Sequence, residues 1–166
     1  MTLAEAAAQG EEFAQSGSER ELADLRAKWA DDLEGAARSA DFRERAVAFR
    51  AIGQFRWRAK EELLRRGLDD ESPACRGSAL LSLELLSRDH PSTINGVRAL
   101  LHTLATADGN AAVRRLAILC LKNGSAERNT IVLLEGLAAD DEADGELRRA
   151  AGNVAQHLKK KQTKKS

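Results

Sequence analysis

The sequence predicts an all-α protein, a short right-handed solenoid of about eight helices stacked as helix pairs. Ala and Leu dominate the 166 residues, Tyr is absent and Pro occurs only twice. That composition favours helix almost throughout, because Ala and Leu lose least on entering one. In addition, four arginines are each followed three residues later by an alanine: Arg45/Ala48, Arg76/Ala79, Arg114/Ala117 and Arg148/Ala151, at intervals of 31, 38 and 34 residues. Spacing of this length is the period of repeat arrays, in which each helical pair stacks on the next. The chain is long enough for one domain with a substantial core. With aromatics scarce, that core is built from Leu, Ile, Val and Ala, each buried Leu contributing roughly 1.5–3 kcal/mol.

The first helix is expected from about Leu3 to Gln15, broken by Ser16-Gly17-Ser18. Ser18 and Glu21 have capping-box spacing for a second helix. In it Leu22, Leu25, Trp29, Leu33 and Ala36 make one apolar stripe. Residues 1–38 therefore read as an N-terminal helical cap on a repeat array spanning 39–158. The first repeat, about 41–70, opens on Asp41 and Glu44, buries Val47, Ala48, Ala51, Ile52 and Phe55, and turns at Arg56-Trp57-Arg58. It continues with Leu63, Leu64 and Leu68 and ends at Asp69-Asp70.

The second repeat, about 71–108, opens on Ser72-Pro73, a good cap followed by a proline where no helical N–H is needed. His90-Pro91 restarts a partner helix through Ile94, Val97, Leu100, Leu101 and Leu104. The third, about 109–141, has Asn110 as cap and Asn123-Gly124 as stop, both residues tolerating positive φ. Ile131, Leu133, Leu134 and Leu137 form its second stripe. A partial fourth, 142–158, holds Leu147, Ala151, Val154 and Leu158; the lysine-rich 159–166 reads as a disordered tail.

At this point the residues resemble the HEAT-repeat family, including its bacterial lyase-type HEAT-like branch. Family repeats run from an acidic cap to Arg, Ala at plus three and Leu-Gly at plus seven and eight. Here Arg45 leads to Ala48 and Ile52-Gly53, Arg76 to Ala79 and Leu83, and Arg114 to Ala117 and Leu121. Leu63-Leu64, Leu100-Leu101 and Leu133-Leu134 match the family's second helices, as do the endings at Asp69 and Asp140. Glu84, Lys122 and Gln156 depart from the glycine position, and Ala155 stands where a Leu belongs. The resemblance, over about residues 41–158, implies an α-solenoid and a non-enzymatic binding or scaffold module.

In such a module a protein or peptide lies in the groove of the second helices. Polar positions there include Lys60, Arg65, Asn95, Arg98, His102, Glu127, Arg128 and Glu135. The alternative is a nucleic-acid-binding HEAT-like protein of diverged DNA-glycosylase type. It would use Arg56, Trp57 and Arg58, cations beside an indole that can hold phosphate and stack on a base. A third reading, action on a bilin chromophore, rests on the branch resemblance alone. The repeated arginines are expected to tie neighbouring units through acidic loop residues such as Asp69, Asp70, Asp140 and Asp141.

Formal net charge is zero but unevenly spread: residues 1–40 carry four basic and nine acidic side chains, while 159–166 carry five lysines and no acid. A balanced total gives no whole-molecule case for nucleic-acid binding. Cys75 and Cys120 lie in apolar helical stretches and read as reduced core thiols. His90, His102 and His157 lack metal-ligand spacing, and no P-loop, nucleophile elbow or H-E-x-x-H occurs. Neither enzyme activity, cofactor nor metal is expected. The start lacks a cationic segment and apolar core, and no stretch approaches the ~20 apolar residues of a membrane span. The expectation is a cytoplasmic protein, monomer or homodimer, with no membrane partner.

Overall fold

The computed structural model describes residues 1–164. Ten α-helices and one 3₁₀ turn occur among them, and no strand: α1 (Leu3–Ser16), α2 (Glu19–Ala37), α3 (Phe42–Gln54), the 3₁₀ turn (Arg58–Lys60), α4 (Glu61–Leu68), α5 (Pro73–Ser87), α6 (Pro91–Asn95), α7 (Arg98–Ala107), α8 (Ala111–Leu121), α9 (Arg128–Ala138) and α10 (Gly145–Lys164). The chain forms two compact units, Met1–Leu86 and a second beginning at Ser87.

In the first unit α1, α2 and α3 pack on one another. Leu22, Trp29 and Leu33 of α2 and Ala48, Ile52 and Phe55 of α3 supply much of the core. Thr2 and Glu5 form a capping box at the start of α1. The box expected at Ser18 does not form: the Ser18 hydroxyl pairs with that of Ser16 instead. Gly17, at φ +73°, takes the left-handed conformation that stops α1, and the Ser18 N–H reaches back to the Phe13 carbonyl. α3 approaches α5 closely at Gly53, where an added Cβ would stand 2.7 Å from Ser82 Cα. There the buried Ser82 hydroxyl donates to the Phe49 carbonyl (2.6 Å) and accepts from the Gly53 N–H (3.0 Å).

In the second unit α7 packs on α8, and α10 packs on both α8 and α9. Asn110 caps α8 as expected, its side chain accepting from the Val113 N–H at 3.0 Å. The partner helix of the second repeat is not continuous. It breaks at Gly96-Val97 into α6 and α7, which makes ten helices where an unbroken partner helix would leave nine. Gly124 does end a turn after α8, but without positive φ. Its smallness serves close approach instead, since a Cβ there would stand 2.7 Å from Cγ2 of the fully buried Ile94. α10 continues through Lys164, so 159–164 are helical where a disordered tail was expected. The rest of that tail lies outside the described residues.

The four repeated arginines share one job. Arg45 donates to the carbonyls of Ser39 (3.1 Å) and Ala40 (3.2 Å), and Arg76 to those of Asp70 (2.9 Å) and Glu71 (3.2 Å). Arg114 donates to Ala105 (2.9 Å) and Arg148 to Ala138 (3.3 Å). Each thus binds carbonyls at the end of the preceding helix or in its linker, groups that helix geometry leaves without a partner. Acidic side chains join at Arg45, which holds Asp70 through two bonds (2.9 and 3.0 Å), and at Arg148, which reaches Asp141 at 3.3 Å. All four plus-three alanines, Ala48, Ala79, Ala117 and Ala151, are fully buried.

Candidate functional site

The Arg56-Trp57-Arg58 segment is a rigid turn. Arg56 adopts φ +52°, and Arg26 of α2 fastens it by donating to the carbonyls of Phe55 (2.7 Å) and Arg56 (3.0 Å). The indole of Trp57 stands edge-on to Phe55 at 5.9 Å, plugging the turn, with the Lys60 ammonium over its ring at 5.3 Å. The local cations are engaged within the molecule. Arg56 pairs with Glu11 (3.1 Å), Lys60 with Glu34 (2.6 Å), and Arg58 with Glu61 (3.5 Å) and the Leu86 carbonyl (2.8 Å). The Lys60 hydrogen bond is the largest cause holding the Glu34 carboxyl below its ordinary range. Arg65 is exposed on α4, with no partner among the described residues.

In the second unit the candidate residues Asn95, Arg98, His102 and Glu127 come together in one network around Thr130. The guanidinium of Arg98, with only 11 % of its side chain exposed, ion-pairs with Glu127 at 2.9 Å. It also donates to the Thr130 hydroxyl at 2.9 Å and to the Asn95 side-chain oxygen. His102 Nε2 lies 2.9 Å from the same Thr130 hydroxyl. Asn95 bonds Ser125 twice, donating to its hydroxyl (2.8 Å) and accepting from its N–H (3.0 Å). These bonds fix α7 against α9.

The same two helices carry exposed stripes at i, i+4, i+7. On α7 these are Ala99, Thr103 and Thr106; on α9 they are Arg128, Val132 and Glu135. Thr103 and Thr106 turn their hydroxyls back onto the carbonyls of Ala99 (3.2 Å) and His102 (2.8 Å), so those donors are used within the helix. Val132 is 59 % exposed, the most exposed large apolar side chain after Met1 among the described residues. Arg128 has no partner among them, and Glu135 is held by Lys159 at 2.6 Å.

Sequence reasoning selected Asn95, Arg98 and His102 as groove residues and missed Thr130, Ser125 and Val132. Val132 was detectable: it stands off the Ile131–Leu134–Leu137 stripe, so it has no core to enter. Thr130 gave no signal, because a buried hydroxyl cannot be distinguished from an exposed one by spacing.

No protein-family model matches the chain, and no curated protein matches it significantly.

His102 and His157 are expected to make stability fall in weak acid. Burial, then the Arg98 charge, lowers the His102 imidazole below its ordinary 6.5, outweighing Glu127. Burial, then the ammonium groups of Lys161, Lys122, Lys160 and Lys164, does the same to His157. A histidine whose folded pKa is depressed takes up its proton more readily when unfolded. Stability is therefore undiminished above the unfolded value and declines as pH falls below it. The thermal midpoint is expected to drop between about pH 7 and about pH 5. The drop should shrink in the His102→Gln/His157→Gln double variant, measured by calorimetry across that range. The carboxylate of Asp70 titrates in a lower window, because burial raises its pKa less than Arg45 and the Ser72 N–H lower it.

Proposed function

We propose that the protein is a non-enzymatic binding module, a HEAT-like solenoid whose second helices recognise a segment of another protein. In the second unit the stripes of α7 and α9 form the recognition surface. The repeat reading is supported by the four arginines, each binding the carbonyl end of the helix before it.

One observation carries the binding reading: Val132 stands open at the centre of a charged stripe, on a helix whose buried Thr130 is bound to Arg98 and His102 of α7. An apolar side chain on a rigid polar scaffold loses little ordering entropy when covered. The small residues Ala99 and Thr103 let a partner backbone come close, and Arg128 supplies a cation for a carboxylate beside it. The partner this chemistry fits is a peptide with one small apolar anchor and a nearby acid. No helix among the described residues is long and apolar enough to cross a membrane.

Selection of a displayed peptide library on the purified protein tests this. Enriched peptides should weaken by about tenfold on Val132→Asp and be indifferent to Arg56→Ala with Arg58→Ala. Peptides that bind the Val132→Asp variant as well as the parent would reject the surface.

A further inference from the structure

A second surface, on α8 and α10, points to a different ligand. It is a groove of about 670 Å³ in the second unit. Leu119, 41 % exposed, Ala150 and the edge of Val154 form its apolar side. Lys122, Arg149 and Lys160 line it, none with an ion-pair partner among the described residues. The acid on its rim, Glu146, is already neutralised by Arg115 at 2.7 Å. Lys161 adds its ammonium beside the groove, donating to the carbonyls of Lys122 (2.9 Å) and Gly124 (3.3 Å). The groove therefore presents an apolar strip beside the positive charges of Lys122, Arg149 and Lys160.

We infer that this groove binds an acidic amphipathic helix of a partner protein, its apolar side chains on Leu119 and Ala150 and its carboxylates on Lys122, Arg149 and Lys160. Charge complementarity selects the sign of the partner, and the apolar strip selects its kind. A nucleic-acid strand fits less well, because no Phe, Tyr or Trp lines the groove to stack on a base. His157 lines the same groove; burial first, and then the surrounding lysines, lower its imidazole below the ordinary value.

The test uses the full chain and three fluorescently labelled helical peptides: one with a Leu face and a Glu face, one with Lys in place of Glu, and one with Ser in place of Leu. Duplex DNA and anionic vesicles are titrated alongside. The Glu/Leu peptide should bind, lose affinity as salt rises, and outcompete every other probe. The triple variant Lys122→Glu/Arg149→Glu/Lys160→Glu should weaken it by more than about tenfold while circular dichroism shows the fold retained. The milder Lys160→Gln should weaken it less, and Val132→Asp not at all, which separates this groove from the α7–α9 surface. The His157 pKa, followed by NMR, should rise on binding as carboxylates offset the lysines. Failure of the Glu/Leu peptide to bind, equal binding by the triple variant, or preference for DNA or vesicles would overturn the proposal.

Discussion

Gly53→Ala is expected to destabilise the protein by about 2 kcal/mol net, although alanine is the better helix former. Propensity alone would gain up to about 1 kcal/mol. The added Cβ, however, would lie 2.6 Å from Ser82 Oγ and 2.7 Å from Ser82 Cα. The second contact is with backbone, so no rotamer change relieves it and α3 must move from α5. That movement stretches the bonds of the buried Ser82 hydroxyl to Phe49 and Gly53. Overpacking of a close crossing costs about 1–3 kcal/mol, and loosening a buried hydroxyl adds about 1 kcal/mol more. Gly35→Ala is the control. It lies inside α2 with nothing within 4 Å of the added carbon, so propensity acts alone. The thermal midpoint should fall by roughly 4–8 °C in the first variant and rise slightly in the second.

Arg98→Ala should be at least as damaging, at about 2–3 kcal/mol. Its removal strips Thr130, which is fully buried, of its charged donor, and leaves Glu127 and Asn95 without the cation between them. Half of the Glu127 carboxylate is exposed, so water recovers part of that loss. Arg128→Ala, on the open face of α9, should stay within about 0.5 kcal/mol. Urea unfolding of the two variants beside the parent measures both. Amide exchange in Arg98→Ala should accelerate in α7 and at the start of α9, where the network is anchored.

The sequence carried local information well and contact information unevenly. Asn110, Pro73 and Pro91 marked helix starts because their chemistry acts within one turn. Gly124 marked the right stop for the wrong reason: its neighbour is Ile94, thirty residues away, and no local rule names it. The break between α6 and α7 was hidden because Ile94, Val97 and Leu101 keep helical spacing across it. The repeated arginines were expected to bind acidic loop residues, but their common acceptors are backbone carbonyls, which carry no residue identity in a sequence. Three polar residues chosen for the second helices, Asn95, Arg98 and His102, lie together. Their role is to hold α7 to α9, which moves the exposed surface one helical face away, to Val132 and Arg128.

NMR mapping of a selected peptide tests the central claim most directly. Titrated into isotope-labelled protein, the peptide should shift the resonances of Ala99, Thr103, Arg128 and Val132 as one saturable set, with the Val132 methyls moving furthest. Shifts confined to the Trp57 turn or to unrelated helices, with those four residues unmoved at saturation, would contradict it.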